Sequence, residues 1–263
     1  MATTVALPPV RIAVVSPTYN ERENIEWFLR NVGAHLPEAE VFVIDDASPD
    51  GTGELADNLA VELGGVTVVH RSGKHGLGSA YRDGFDLALA EGFDVVVSMD
   101  VDRSHDPSVL PAMVAAIEGG ADLVVGSRYV PGGGTANWPM HRRVLSAWGN
   151  RYTGLVLGLK VRDCTSAYRA YRAETLRAID PRTTRAEGYA FLTELMRRAS
   201  NLELKVEEVP IVFVDRQFGT SKMSLRIIVE SMLLVTGWGV RDLARRLARL
   251  GERRRNRGGQ STL

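Results

Sequence analysis

The sequence predicts an α/β protein built on a doubly wound, mainly parallel β-sheet. Short apolar runs rich in valine and isoleucine alternate along the first half of the chain with longer segments of helical periodicity. Turn residues such as Pro49 and Gly51 separate the two kinds of segment. A repeated β-α unit gives right-handed crossovers and a sheet that is covered by helices on both faces. With 263 residues, 44% of them hydrophobic, the chain is long enough to bury such a core.

The predicted elements of the first half are buried strands and amphipathic helices in strict alternation. Thr52 can cap the second helix, because a threonine oxygen can accept from the unpaired N–H groups of the first turn. Pro107 suits the first turn of the fourth helix, where no N–H is needed. The predicted strands are 11–15, 41–44, 66–69, 95–99 and 123–125, and the predicted helices are 21–32, 52–63, 78–90 and 107–117.

The second half of the chain is less regular. A glycine-rich loop at 131–134, which we expect to be mobile, precedes a predicted helix over 142–157. The segment 164–171 can return to the sheet as a strand. A helix over 187–199 and a β-rich segment over 202–214 follow.

The C-terminal segment is apolar at helical spacing and then strongly basic. Eight arginines face two acidic residues between positions 241 and 257, a local charge of +6 in a chain whose formal net charge is zero. A basic amphipathic segment can lie in a membrane interface and attract anionic lipids. A helix packed on the core with a basic tail is the alternative. We predict one α/β domain over 1–222, followed by an amphipathic helix and basic tail over 223–263.

Composition excludes several other classes of protein. The single cysteine, Cys164, rules out an internal disulfide and is typical of a reducing compartment. The N-terminal residues lack the basic and apolar regions of a signal peptide, so we expect a cytoplasmic protein. No run reaches the roughly 18 apolar residues of a membrane-spanning helix. The arginine run lacks interleaved aromatic residues, and the remaining chain is acidic, which argues against nucleic acid as a partner.

The pair Asp100 and Asp102 directly follows the predicted strand 95–99. Ligands of parallel sheets bind beyond the carboxyl ends of the strands, so both acids should lie at the mouth of a site. Carboxylate oxygens suit Mg²⁺ or Mn²⁺, and a metal held there can neutralise a departing diphosphate. The pair therefore indicates a nucleotide-sugar transferase, against the alternative of an ordinary solvated acidic loop.

Polar residues follow two other predicted strands that should end at the same edge of the sheet. Asp45 could accept hydrogen bonds from a base or ribose, and Tyr19 could pack on a base. Other nucleotide and hydrolase motifs are missing: the dinucleotide fingerprint lacks its third glycine, and no Walker loop or nucleophile elbow is present. The five histidines lack metal-ligand spacing, and His105 alone lies close to the paired acids.

Four segments resemble the polyprenyl-phosphate (dolichol-phosphate) mannose synthases of inverting glycosyltransferase family 2. In chain order they read PTYNEREN at 17–24, IDDASPDGT at 44–52, DVDRSH at 100–105 and VDRQFGTSK at 214–222. The first three recur across related transferases, whereas SPDGT together with the DRxxGxSK pattern is much more selective. The resemblance implies a GT-A-like fold over 11–222.

The resemblance also implies a role for individual residues. Those expected to hold the nucleoside of GDP-mannose are Pro17, Tyr19, Glu21, Val43 and Asp45. Those expected at the metal and its nucleotide are Asp100, Val101, Asp102 and Ser104, with Mg²⁺ or Mn²⁺ as the cofactor. Basic residues expected around the reacting phosphates are Arg128, Arg216 and Lys222. Behind the glycine-rich loop, Arg142 and Arg143 are candidates to hold the acceptor phosphate.

The implied reaction transfers mannose from GDP-mannose to a polyprenyl phosphate with inversion, giving a β-linked product and GDP. The acceptor is already anionic, so alignment and charge stabilisation matter more than a general base. UDP-glucose or another donor, a saccharide acceptor, and a non-enzymatic nucleotide-binding regulatory module remain alternatives. We expect peripheral association with the cytoplasmic face of a membrane through the C-terminal segment, or an integral membrane partner.

Overall fold

The computed structural model describes residues 10–215 and 229–244, which form one central sheet flanked by helices. The sheet has seven strands in the order β3-β2-β1-β4-β7-β5-β8, and β7 alone is antiparallel to its neighbours. The strands of this sheet are β1 (Ile12–Thr18), β2 (Ala39–Asp45), β3 (Val66–His70), β4 (Val95–Ser98), β5 (Leu123–Ser127), β7 (Arg169–Arg172) and β8 (Val206–Pro210). A second, two-stranded sheet pairs β6 (Gly134–Ala136) with β9 (Val212–Val214).

Helices cover both faces of the large sheet. They are α1 (Arg22–His35), α2 (Thr52–Leu63), α3 (Leu77–Ala90), α4 (Leu110–Glu118), α5 (Met140–Leu157), α6 (Ala173–Ile179) and α7 (Tyr189–Asn201). Short 3-10 turns precede α4 and follow α6, and residues 229–244 form a further helix, called the C-terminal helix below. No helix within 10–215 or 229–244 is long and apolar enough to cross a membrane.

The hydrophobic core has one layer on each face of the sheet. Alternate strand residues point to opposite faces, so Val14 packs with α1, α2 and α4 while Val15 packs with α3, α6 and α7. Both side chains are fully buried. Burial on both faces explains why the strands read as continuous apolar runs in the sequence.

The structure confirms the β-α alternation of the first half and corrects details in both halves. Thr52 is the first residue of α2 rather than its cap; the cap position is held by Gly51, and Asp50 accepts hydrogen bonds from the Thr52 N–H and hydroxyl. Only the end of the predicted strand 164–171 is a strand, and it is antiparallel. Helix α6 was not among the predicted elements.

Helix α3 lies against the sheet closely enough to require a glycine. A Cβ atom on Gly84 would collide with Val15 of β1 and would lie 3.1 Å from Ile44 Cγ1 of β2. Both neighbours are core residues that cannot move away, since they are packed on all sides. This contact fixes the height of α3 above β1 and β2.

Gly84→Ala should therefore destabilise the protein by about 1–3 kcal/mol, because the added methyl group overpacks the core. Gly33→Ala in α1 is the matched control, since nothing lies within 4 Å of its new Cβ. That control should be neutral or should stabilise by about 0.5–1 kcal/mol through helix propensity. Urea unfolding of both variants measures the difference, and equal stabilities would contradict the close contact.

Candidate active site

Three neighbouring strand ends meet at one edge of the sheet, as the sequence predicts. Strand β1 pairs in parallel with β2 on one side and with β4 on the other. Each following loop contains a non-glycine residue with a left-handed backbone: Asn20 (φ 59°), Ala47 (φ 53°) and Arg103 (φ 62°). Such conformations cost free energy and cluster at functional sites. This edge is therefore the candidate active site.

The loop after β4 holds its two acids in different surroundings. Asp102 is buried, and its Oδ1 atom accepts hydrogen bonds from the backbone N–H and the hydroxyl of Ser104. Ser104 is itself fully buried, so its hydroxyl orients the Asp102 carboxylate. Asp100 is partly exposed and lines a cavity. Between them Val101 packs its side chain into the core.

Two buried rings hold Asp100 in place. The Tyr81 hydroxyl, on α3, donates to Asp100 Oδ1 at 3.0 Å. Burial, reinforced by the charge of Asp100, raises the pKa of Tyr81 well above its ordinary value, so this donor stays protonated. On the other side the Asp100 N–H donates to His105 Nδ1 at 3.2 Å.

His105 is an internal packing residue of this loop. Its ring stacks on Tyr168 at 5.0 Å and meets the edge of Phe213 at 5.5 Å. Burial lowers its pKa despite the opposite influence of Asp100 and Asp102, which favours the neutral imidazole. A neutral ring that accepts from the Asp100 N–H is oriented to shape the loop rather than to take a proton from a substrate.

At the ends of β1 and β2 the acids organise the loops. Asp45 is buried and accepts from the hydroxyl of Thr18 at 2.9 Å and from the N–H and hydroxyl of Ser48 at 3.0 and 2.6 Å. Asp46 is ion-paired with Arg71, which lies in the loop after β3. These bonds tie the first three strand ends into one unit.

The other predicted nucleoside residues lie along the same edge. Pro17 is paired with Ile44 across the β1–β2 ladder, and Val43 is fully buried in the core. The Glu21 carboxylate accepts from the Asn24 side chain at 2.8 Å, at the start of α1. Lys74, which sequence reasoning missed, places its ammonium group 3.8 Å from the centre of the Tyr19 ring.

Arg128 follows β5 and is locked in a buried, two-point ion pair. Its Nε and one terminal nitrogen donate to the Asp163 carboxylate at 2.7 and 2.8 Å, and its backbone N–H adds a third bond. The same guanidinium donates to Thr165 at 2.8 Å. Burial alone would raise the pKa of Asp163, but the charge and hydrogen bonds of Arg128 hold it below its ordinary value. Both groups are therefore charged at neutral pH.

A cavity of about 200 Å³ connects the acids to apolar side chains. One end is polar, with Asp100, His105, Arg128 and Arg142. The remaining wall is largely apolar. Helices α5 and α7 and the C-terminal helix contribute Leu145, Trp148, Ala190, Met232 and Val235, while Trp138 precedes α5 and Phe213 lies in β9. The cavity can therefore hold a ligand with a charged head and an apolar chain.

The two candidate acceptor arginines differ in position. Arg142 lines the cavity, lies 4.1 Å from the Trp138 ring centre and forms a 2.7 Å ion pair with Asp215. Arg143 is exposed on α5 and is not among the lining residues. Arg216 and Lys222 lie outside the described residues.

Sequence reasoning missed two residues that contact predicted site residues from a distant part of the chain, Tyr81 and Lys74. Asp163 fits the family pattern, but the sequence assigns it no role, and its pairing with Arg128 emerges only from the fold. The tyrosine reads as an ordinary apolar residue of a helix face, and only the fold brings it to Asp100.

Comparisons with known proteins agree on the family. The model of glycosyl transferase family 2 matches residues 13–180. A polyprenol monophosphomannose synthase of Mycolicibacterium smegmatis is 47% identical over 246 residues, covering 92% of this chain and 93% of the relative. An undecaprenyl-phosphate mannosyltransferase of Micrococcus luteus is 47% identical over 231 residues, covering 88% of this chain and 95% of the relative.

A solved structure extends the agreement to the fold. A mannosyltransferase from Pyrobaculum calidifontis in complex with GDP-Man and Mn²⁺ superposes with a TM-score of 0.54, covering 90% of this chain and 75% of that chain. At 17% identity the likeness concerns the fold alone. The sheet and its acid-bearing edge define the class of GT-A-like nucleotide-diphospho-sugar transferases. The chain belongs to glycosyltransferase family 2, among its polyprenyl-phosphate (dolichol-phosphate) mannose synthases.

Asp163→Asn should lower the free energy of unfolding at pH 7 by about 3 kcal/mol, because it leaves the buried Arg128 without its charged partner. The pKa of Asp163 is depressed in the folded state, so its contribution is complete above the unfolded value of about 4 and is lost as pH falls further. The stability gap between wild type and variant should therefore narrow below about pH 4.

Glu62→Gln provides the control, because Glu62 pairs with Arg30 on the surface and is half exposed. Its effect should stay within about 0.5 kcal/mol. Urea unfolding between pH 3 and 7 measures both variants. A gap for Asp163→Asn that does not change with pH would contradict a charged pair.

Proposed function

We propose that this protein transfers mannose from GDP-mannose to a polyprenyl phosphate with inversion, giving polyprenyl-phosphate β-mannose and GDP. The observation that carries the proposal is the cavity in which Asp100 and Arg128 meet a wall of apolar side chains. A sugar-nucleotide site alone would not need such a wall. The names of the two relatives that match most of the chain support a lipid-phosphate acceptor.

The donor set at this edge suits Mg²⁺ or Mn²⁺. Within 10–215 and 229–244, no cluster of three or more acidic, histidine or cysteine side chains is arranged to hold a metal. Two carboxylates, Asp100 and Asp102, are nevertheless what such a cation needs when a diphosphate and water complete its shell. When bound, the metal would neutralise the charge that develops on the leaving diphosphate. Ser104 is proposed to complete the site, directly or by orienting Asp102.

The nucleoside is proposed to lie across the ends of β1 and β2. Tyr19 presents an aromatic ring there, and the ammonium group of Lys74 lies over that ring. A base that stacks on Tyr19 would have to displace Lys74. The supporting residues are proposed to be Pro17, Glu21, Val43, Asp45 and Val101. Because the Asp45 carboxylate already accepts three hydrogen bonds, its part is to hold the Ser48 loop against the nucleoside.

The reaction needs alignment more than proton transfer. An acceptor phosphate oxygen forms a bond to the anomeric carbon as the bond from that carbon to GDP breaks on the opposite face. The incoming oxygen is already anionic, so no proton must be removed. Arg128, oriented by its ion pair with Asp163, presents its guanidinium at the polar end of the cavity, and Arg142 is placed to hold the acceptor phosphate. Arg143, Arg216 and Lys222 are proposed to add charge around the phosphates.

We propose that α5 and the neighbouring C-terminal helix bind the membrane. Fifteen large apolar side chains are exposed in the described residues, five on α5 and five on the C-terminal helix. Such a concentration is typical of a surface that meets lipid or a partner. We propose peripheral binding to the cytoplasmic face of a membrane, where an integral membrane partner can share the surface. The division into a catalytic domain over 1–222 and a membrane segment over 223–263 belongs to this proposal.

Asp100→Ala and Asp102→Ala should each reduce mannose transfer by about a hundredfold or more, because each removes a carboxylate at the leaving diphosphate. The assay uses radiolabelled GDP-mannose with a polyprenyl phosphate and extraction of the product into organic solvent. Excess chelator should abolish turnover, and Glu26→Ala on the surface of α1 should leave it unchanged. Full transfer in chelator, or transfer only from UDP-glucose, would overturn the proposal.

Replacing Leu155, Leu233 and Val240 together by serine should weaken binding to anionic liposomes by about tenfold or more, because each loses exposed apolar surface. Val61→Ser on α2 is the control, since Val61 is 90% exposed but lies on a different helix. Liposome sedimentation measures both. Equal liposome binding by the triple variant and the wild type would contradict a role of α5 and the C-terminal helix in membrane binding.

A further inference from the structure

We propose that the C-terminal helix forms a fixed wall of the acceptor cavity. Two contacts, called its two seats, hold it in place: a close approach to α5 and an ion pair with α7. The inference rests on the proposed function and adds positioning residues to it. Those residues are Gly239, Arg197 and Asp242, none of which is among the residues that line the cavity. The position of the helix then sets affinity for the apolar part of the acceptor.

The helix contributes directly to the cavity. Ser231, Met232 and Val235 line the same space as Asp100 and Arg128. Val235 is only 3% exposed, although the neighbouring Leu233 is 69% exposed. One side of the helix therefore faces the protein interior and closes the apolar end of the cavity, while another side faces outward.

The first seat is a close approach of the helix to α5. A Cβ atom on Gly239 would lie 2.5 Å from Val156 Cγ1 and 2.8 Å from the Val156 carbonyl oxygen. The carbonyl belongs to a helix backbone and cannot yield as a flexible side chain can. One turn earlier, the hydroxyls of Thr236 and Tyr152 are hydrogen-bonded at 2.6 Å. Only glycine allows the two helices to come this close.

The second seat is a two-point ion pair with α7. Arg197 Nε and one terminal nitrogen donate to the two carboxylate oxygens of Asp242, each at 2.6 Å. Both side chains are nearly buried, at 13% and 10% exposure, and the guanidinium lies 5.7 Å from the Trp238 ring centre. A planar pair of this kind fixes orientation as well as distance. Helix α7 also supplies Ala190 and Thr193 to the cavity.

These two seats hold the helix against α5 and α7, which both contribute to the rest of the apolar wall. Moving the helix changes the width of the apolar end without touching the nucleotide edge of the sheet. A shift of even about 1 Å in such a positioning element can change a rate or an affinity by up to about a hundredfold. The expected signature is a loss of acceptor affinity with an unchanged donor site.

Gly239→Ala is the most direct test, and Gly237→Ala is its matched control. Both changes add one methyl group to the same helix, but nothing lies within 4 Å of a Cβ at Gly237. We expect Gly239→Ala to raise the KM for polyprenyl phosphate by about tenfold or more, with kcat and the Kd of GDP nearly unchanged. Gly237→Ala should leave all three values unchanged.

The ion pair is tested by Arg197→Asp, Asp242→Arg and the double reversal. Each single variant should raise the KM for the acceptor, and the double variant should recover much of the loss because the pair is restored with opposite polarity. This rescue separates positioning from simple misfolding. Circular dichroism confirms that each variant keeps its helices.

Calorimetric binding of farnesyl phosphate, a short polyprenyl phosphate, gives a readout that needs no turnover. Weaker binding by Gly239→Ala than by Gly237→Ala supports the proposed role of the helix, whether or not the wild type transfers mannose. A wild type that transfers no mannose contradicts the proposed reaction alone. Equal farnesyl phosphate affinity for both glycine variants overturns the inference. So does a Gly239→Ala variant whose GDP affinity falls as much as its acceptor affinity, since the change would then be global.

Discussion

The parallel pairing of β2, β1 and β4 is the constraint on which the whole site depends. It brings three strand ends to one edge within neighbouring ladders, and each ends in a loop with a left-handed residue. The apolar runs that bury these strands on both faces leave no freedom of register, since a slip of one residue would turn core side chains outward. Asp45 and Asp100 are thus positioned by hydrophobic packing many residues away from them. The positions of the acids at this edge therefore follow from the packing of the hydrophobic core.

A second constraint is the buried charge behind that edge. Arg128 and Asp163 are costly to remove from water, and three direct hydrogen bonds between them offset that cost. The loop that holds Asp163 is itself fixed by Arg169, which is fully buried and donates to the backbone carbonyls of Cys164, Ser166 and Leu192. Since Leu192 belongs to α7, one network connects the polar end of the cavity with a helix that lines its apolar part. Positive charge and apolar surface are held in one rigid frame.

Features that depend on local sequence patterns could be predicted, whereas features that depend on contacts between distant residues could not. The β-α half was predictable because strand and helix periodicities are local, and because parallel strands must end at one edge. The position of Asp100 and Asp102, in the loop after β4 at the edge where β1 and β2 also end, followed from that geometry. The two-point bond of Arg128 to Asp163, the donor Tyr81 and the seat at Gly239 were not predictable, since each depends on a contact that no periodicity records. Helix α6 and the brief strand β7 are too short to carry a reliable pattern.

The reversed direction of β7 has a consequence for how proteins of this architecture can diverge. Strand β5 finishes at the reacting edge, and β7, running the other way, starts there. Residues 128–168 connect β5 to β7 and include α5. This connection therefore leaves the sheet and returns to it at the same edge. Its length can change without disturbing the register of the seven strands of the large sheet, provided that the Arg128–Asp163 pair and the pairing of β6 with β9 are kept. The stretch that lines the cavity can thus diverge separately from the packed strands whose ends carry Asp45 and Asp100.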